Sequence, residues 1–384
     1  MQVITTTPDL ESFCAALADA PFITIDTEFM RERTYWSQLC LVQVASAEHE
    51  AIIDPLADGL DLTPLLTLLA NERVIKVFHA ARQDVEIFYK LMDVVPAPLF
   101  DTQVAAMACG YGDQIGYEPL VKAVTGEAID KGSRFTDWSK RPLSDKQLTY
   151  ALGDVTHLRD VYLALKAQLE KTGRLNWVEE EMSALLSEDL YFIKPENAWK
   201  RLKLRNVKRR EIGPLMKVAE WREAEAQKRD VPRGRIIKDD TIYELSRQRP
   251  TTIKALGNCR SISKGYEASA QGKALLEAVQ AGIDLPEEAL PKLERQGNLP
   301  QVPADVLDML RVLLKRQCEH HQVAPKLVAS ASDLETIARY DVPDVPAMKG
   351  WRQEIFGNAA LDLKAGRLGL KLQDGNIEFI RLDS

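Results

Sequence analysis

Asp26 and Glu28 stand two residues apart inside the apolar run FITIDTEFM, Phe22 to Met30. Successive side chains on a strand alternate sides, so a strand here puts both carboxylates on one face. Two like charges side by side in a sheet call for a compensating cation. Other acidic residues recur where a fold can bring them together. Asp84 opens a helical pattern just after the strand that ends at His79. Asp154 lies in a long helical pattern, with Tyr150 four residues earlier on the same face. Clustered oxygen ligands suit hard divalent cations such as Mg²⁺ or Mn²⁺. Two such ions about 3.5–4 Å apart form the clamp used for in-line phosphoryl displacement. Taken singly, each residue has a plainer reading: an Asp-x-Glu facing solvent, Asp84 or Asp101 capping a helix, His79 hydrogen-bonded in a core. Their order and spacing together carry the assignment.

The elements that must position these groups alternate between strand and helix signals over roughly the first 170 residues. LESFCAALAD reads as an amphipathic helix with Leu10, Phe13, Cys14 and Leu17 on one side. Leu39–Ser46 and Glu50–Leu56 read as a hairpin turning around Ala47 to His49. Val74–Ala80 is a strand, Arg82–Met92 a helix, and a further helix starts near Thr102. Hairpin strands first and strand-helix units afterwards imply a mixed sheet flanked by helices, an α/β domain. The helix carrying Tyr150 and Asp154 starts at Ser144, where Gln147 completes a capping box, and ends at Gly173.

After Asn197 the pattern is wholly helical, with one set of helices broken near VPRGR and a second from Ala304 broken at Val-Ala-Pro. A Pro-rich polar stretch separates them, and LGLKLQDGNIEFIRL predicts a terminal hairpin about Asp374-Gly375. The expected division is 1–175, a connecting segment 176–206, a helical unit 207–287, a linker 288–302 and a second, divergent helical unit 303–384.

The net charge is −7, but residues 197–275 hold 20 Lys+Arg against 9 Asp+Glu. That local balance of +11 leaves −18 for the rest, an acidic module joined to a basic one. The basic segment suits a polyanion bound through phosphate contacts; a solvated helical surface is the alternative. No apolar run has the roughly 18–20 residues of a membrane span, and the N-terminal residues lack the pattern of a signal peptide. Five scattered cysteines without a CxxC pair argue against disulfides or a thiolate zinc site and for a reducing, cytoplasmic setting.

DTE (Asp26 to Glu28), HAARQD (His79 to Asp84) and YALGD (Tyr150 to Asp154) resemble the three motifs of the DEDD superfamily of 3′→5′ exonucleases. The tyrosine subclass fits, because the position a histidine-subclass base would occupy is Thr149. DPL (Asp54 to Leu56), DTQ (Asp101 to Gln103) and SRFTDWSKRPL (Ser133 to Leu143) extend the likeness, and the helical units resemble a pair of HRDC domains. As a whole the chain is similar to the ribonuclease D family.

The resemblance implies an RNase H-like fold and metal-dependent 3′→5′ hydrolysis releasing nucleoside 5′-monophosphates. Asp26, Glu28, Asp84 and Asp154 would hold two Mg²⁺ or Mn²⁺ ions, Tyr150 would orient the attacking water, and Asp101 would stay outside the metal shell. Thr27 and His79 would border the substrate, and Arg134 and Arg141 would meet phosphates. Trp138 would stack a base or plug the core, and Arg233, Arg235 and Lys238 would contact the RNA backbone. The implied substrate is RNA with a single-stranded 3′ end, tRNA precursors above all, with no membrane, no obligate protein partner and a monomeric enzyme. A DNA exonuclease, or a nucleic-acid-binding protein with a vestigial centre, are the rival readings. Removing everything after about Leu204 is expected to leave a competent nuclease that binds RNA more weakly.

Overall fold

The computed structural model describes residues 1–129, 132, 136–204, 207–291 and 300–382. The N-terminal domain runs β1 (Val3–Ile4), α1 (Thr7–Leu17), β2 (Phe22–Met30), β3 (Gln38–Ala45), β4 (Glu50–Ile53), α2 (Thr63–Ala70), β5 (Ile75–Phe78), α3 (Arg82–Met92), β6 (Leu99–Asp101), α4 (Thr102–Ala108), α5 (Tyr117–Thr125), α6 (Asp145–Thr172) and α7 (Leu175–Ala184). The six strands form one mixed sheet in the order β1-β4-β3-β2-β5-β6, antiparallel at β4/β3 and β3/β2 and parallel elsewhere. The expected architecture is present. β2 lies inside the sheet, so its two faces receive different partners. Ile23 and Ile25 point into a core with Leu10, Leu17, Leu65 and Phe88 of α1 to α3. The opposite face meets α6, where Leu41, Ala45 and Ile52 pack on Ala151, Leu152 and Val155.

α6 is fixed at both ends as its sequence requires. Ser144 and Gln147 exchange the reciprocal bonds of a capping box, and Gly173 closes the helix at φ 68°. Its 28 residues span about 42 Å, longer than the sheet is wide. The second half therefore leaves the sheet and buries Val161, Leu165 and Leu169 elsewhere.

The first helical unit contains α8 (Arg209–Arg229), α9 (Arg233–Ile236), α10 (Asp239–Gln248), α11 (Ile253–Gly257) and α12 (Ala270–Ile283). It has its own core around Leu215, Val218, Ile242, Leu245, Leu275 and Val279, to which Ala198 and Leu202 of the connecting segment add. α8 and α12 cross so closely that a Cβ on Gly213 would lie 2.1 Å from the Gly282 carbonyl oxygen. Only glycine permits that crossing.

This unit grips the loop that leaves β2. Asp230, at the end of α8, accepts the backbone N–H groups of Tyr35 and Trp36 at 3.0 and 2.9 Å. The Tyr35 hydroxyl donates to the fully buried Glu223 and accepts from Arg233 at 2.8 Å, while Arg233 binds both oxygens of Glu223. A buried carboxylate is tolerable only with such partners.

The C-terminal unit has α13 (Ala304–His321), α14 (Pro325–Val328), α15 (Ala331–Arg339), α16 (Gly350–Arg352), a π-turn and α17 (Asn358–Lys364). The hairpin β7 (Leu368–Gln373) and β8 (Asn376–Arg381) turns at Asp374 and Gly375, both at positive φ as a two-residue turn demands. This unit is not self-contained. Leu310, Leu313, Leu327, Ile355 and Phe356 share one apolar cluster with Ala105, Leu120, Val161 and Leu165 of the N-terminal domain. Trp351 stacks on Trp177 at 4.3 Å, and Arg352 bonds Glu180 and Glu181 at 2.5 and 2.6 Å.

The shared core overturns the expectation that the chain can be cut near Leu204 without harm. Burial of each large apolar side chain is worth about 1.5–3 kcal/mol, so stripping several partners costs on the order of 10 kcal/mol, the size of a domain's whole stability. A chain ending at Leu204 is expected to be aggregated or to melt far below the full chain, whereas excision of 209–283 alone leaves that core covered. Thermal melts with dye binding on both forms check this.

Candidate active site

Strand alternation assembles the site. Asp26 and Glu28 project toward α6, and Asp154 meets them there; one carboxylate oxygen from each lies within 4.8 Å of the others. α6 is tied to the strand next to its acidic residue: the Thr24 hydroxyl donates to the carbonyl of Val155 at 2.8 Å. Thr27, on the other side of β2, donates its hydroxyl to Asp84. Thr27 thus orients a carboxylate, and it also lines the cavity beside Asp26 and Glu28.

Beyond Glu28 the pairing of β2 with β3 slips, since Glu28 faces Leu41 while Phe29 faces Leu39. The carbonyl of Cys40, displaced by this bulge, is taken up by Arg141 at 2.7 Å. Arg141 also binds both oxygens of Asp54 at 2.6 Å and the Trp138 and Lys140 carbonyls. Its guanidinium is committed to the fold, so the expected phosphate contact is replaced by a structural one. Trp138, 2% exposed, packs behind Tyr150 with ring centroids 6.1 Å apart. Of its two readings the core one holds. Arg233 is engaged with Glu223 as described, while Arg235 and Lys238 are exposed on the helical unit. Arg134 lies outside the described residues.

Asp84 sits in the first turn of α3, where the helix dipole favours an anion. The turn before it needs Ala80 in the left-handed region, at φ 58°. Asp101 holds that turn by accepting the N–H groups of Ala80 and Ala81 at 3.0 and 2.9 Å, and it also caps α4 through Gln103. Asp101 is thus a bracing, helix-starting residue.

Electrostatics set the proton inventory. Burial, then the charge of Asp154, pushes the Asp26 carboxyl well above its ordinary range. Burial, then Asp26, does the same to Asp84. The Tyr150 phenol is pushed up by burial and by Asp154, Glu28 and Asp26 in turn. It therefore keeps its proton and serves as a hydrogen-bonding group. Burial lowers His79, leaving a neutral imidazole. The Thr102 hydroxyl donates to the carbonyl of Phe78 at 3.0 Å and lies 3.0 Å from Nδ1 of His79, whose ring also meets the backbone of Ile115.

Asp26, Glu28, Asp154, Tyr150 and His79, but not Asp84, line a cavity of about 600 Å³ together with Gln103, Tyr117 and Glu118, room for a nucleotide. Tyr117 closes one wall, its ring 5.5 Å from His79 and its hydroxyl donating to Gly153 at 3.1 Å. Sequence reasoning missed Tyr117 and Gln43. Gln43 lies directly across from Asp26 on β3, fully buried, with both amide atoms unpartnered among the described residues. Its only signal was a polar residue within the apolar run LCLVQVA. Oxygen-only ligands, like charges driven together by burial and orphaned polar atoms beside them fit a hard divalent cation and its water.

Comparison with known proteins agrees with this geometry. A 3′-5′ exonuclease family matches residues 1–170 and the HRDC domain family matches 215–279. A ribonuclease D from Nitrobacter hamburgensis is 50% identical over 377 residues, covering 98% of both chains. Another from Acidiphilium cryptum is 47% identical over 380 residues, covering 99% of this chain and 97% of its own. The crystal structure of Escherichia coli RNase D, described as an exoribonuclease involved in structured RNA processing, aligns with TM-score 0.80 and 30% identity over 95% of this chain and 98% of that one.

Raised carboxylate pKa values carry a stability signature. An acid whose pKa is higher in the folded than in the unfolded chain stabilises below its unfolded value, near 4, and that contribution is lost as pH rises through the folded value. Metal-free Asp84→Asn is therefore expected to melt above the wild type, by a margin that widens from pH 4 to pH 7. Added Mg²⁺ or Mn²⁺ should raise the melting temperature of the wild type more than that of the variant. A constant margin across pH sinks this account.

Proposed function

This chain belongs to the ribonuclease D family and is a 3′-5′ exoribonuclease, and we propose that Asp26, Glu28, Asp84 and Asp154 hold its divalent metal ions while Tyr150 serves the attacking water. The observation that carries this is the convergence of Asp26, Glu28 and Asp154 within 4.8 Å beside a protonated phenol. Two ions of Mg²⁺ or Mn²⁺ would supply Lewis-acid polarisation of the scissile phosphate and a nucleophile from water at neutral pH. The protein's residues do the rest. The three converging carboxylates would give charge and oxygen ligands, and Asp84, oriented by the Thr27 hydroxyl, would complete the anionic set. Tyr150 positions water without taking its proton, because its pKa lies above the ordinary phenol value. Glu28 meets the terminal 3′-hydroxyl, which favours free 3′ ends.

The substrate in this reading is RNA with a single-stranded 3′ end, tRNA precursors above all. The E. coli relative is described as involved in structured RNA processing, and the cavity of about 600 Å³ has the volume for a nucleotide. We also read 303–384 as a second, divergent HRDC domain. In support, α13–α14–α15 repeats α8–α9–α10: a long helix closed by a left-handed residue (Gln322, Asp230), a four-residue helix and a helix of nine or ten.

Incubation with a 3′-extended tRNA transcript and Mg²⁺ or Mn²⁺ is expected to release nucleoside 5′-monophosphates and shorten the tail; without the metal nothing is released. Asp154→Ala should abolish turnover while RNA binding persists. Tyr150→Phe should lower kcat by about 10²–10³, the scale of one missing catalytic hydrogen bond. Faster digestion of a matched DNA tail overturns the RNA assignment.

A further inference from the structure

A second cavity, of about 810 Å³, opens between the nuclease domain, the connecting segment and the first helical unit, and Arg31, Arg82, Lys194, Lys200, Arg201 and Arg233 line it. Against these six cations stand two carboxylates in the lining, Glu86 and Asp189. The cations divide into two kinds. Arg31 is locked on Glu86 by bonds of 2.7 and 3.0 Å, and Arg233 on Glu223. They build the wall. Arg82, Lys194, Lys200 and Arg201 are exposed and form no ion pair among the described residues. A concave surface with four such cations over a rigid wall focuses positive potential and attracts a polyanion.

Its position identifies which one. Arg31 follows Glu28 by three residues, roughly 10 Å at the rise of a strand, and Arg82 shares the first helical turn of α3 with Asp84. The cleft therefore begins beside the acidic centre and runs toward the helical unit. The aromatic groups in its lining are committed: Tyr35 and Tyr191 are buried with bonded hydroxyls, and Phe192 is stacked parallel to Trp36 at 6.2 Å. Contacts here are to phosphates and not to bases, and so are indifferent to sequence.

We propose that this cleft binds the phosphate backbone of RNA just upstream of the nucleotide being removed, so that the connecting segment is a substrate-holding element and not a passive tether. The proposal rests on the reading of the acidic centre as an exoribonuclease site. It implies that Lys200 and Arg201 matter for long RNA and not for the shortest substrate, which ends before reaching them.

The test is the double variant Lys200→Glu/Arg201→Glu in the full chain. Both side chains are exposed, and the buried members of their turn, Ala198 and Leu202, are untouched, so the melting temperature should not change. A single-stranded RNA dodecamer is expected to bind several-fold more weakly. The slope of log affinity against log salt should fall by about 1.4, or 0.7 for each single-strand phosphate deprived of its cation. Turnover of an RNA dinucleotide, read as kcat/KM, should be unaffected. Unchanged dodecamer binding and slope overturn the proposal, as does abolished dinucleotide turnover with the fold intact. Inorganic tripolyphosphate that binds the wild type and not the variant, while the dodecamer binds both equally, assigns the cleft to a small polyanion and also overturns it. Absence of dinucleotide turnover by the wild type with Mg²⁺ or Mn²⁺ strikes the exoribonuclease reading instead, while dodecamer binding still reports on the cleft.

Discussion

Electrostatic repulsion among carboxylates is the constraint on which the rest of this structure depends. Asp26, Glu28 and Asp154 bring oxygens within 4.8 Å of one another, and the charge of Asp26 helps to raise the proton affinity of Asp84. Left to itself, such a cluster would splay. Each member is therefore fastened by bonds that do not involve the others' charges: Asp84 by Thr27, α6 by the Thr24 bond to Val155, the α3 turn by Asp101, the β3 bulge by Arg141. Stability is given up to hold a geometry whose repulsion a proton or a bound cation relieves.

The arginine-rich character of the middle of the chain divides on the same physical ground. Arg222 is 5% exposed and bonds Asp239, Arg233 bonds Glu223, and Arg209 bonds Glu287. These charges are consumed in building the helical unit. What remains for a polyanion is the smaller set of exposed cations, and of the four in the cleft the connecting segment contributes three, Lys194, Lys200 and Arg201, and the nuclease domain one, Arg82. Net charge over a segment thus overstates the field that a partner would meet.

The sequence made the catalytic strand legible because period-two alternation is a local rule, and two acids in an apolar strand break it conspicuously. The helix with Tyr150 and Asp154 was legible for the same reason: Ser144, Gln147 and Gly173 lie within the element they delimit. Arg141 was misassigned because its partner lies far along the chain. Asp54 is 87 residues from Arg141, and an arginine with a buried carboxylate looks in sequence like one awaiting a phosphate. Gln43 was invisible since its meaning comes from register across β2 and β3, which no local pattern encodes. The shared core failed for a related reason: periodicity says that α13 has an apolar face, not that the face belongs to another domain.

Both helical units meet the nuclease domain through the corner where their first long helix ends. Asp230 holds the N–H groups of Tyr35 and Trp36, while His321 and Gln322 offer carbonyls to Arg174 at 2.6 and 3.1 Å. The first of these corners grips the loop that leaves β2, so the strand that carries Asp26 and Glu28 is held at its exit by the HRDC unit. Arg31 adds a second anchor, from the same loop to α3, the helix that carries Asp84. The first helical unit is thus tied to the exit of the acidic strand, and Arg31 ties that exit to the helix of Asp84, which makes the unit part of the scaffold of the reaction centre.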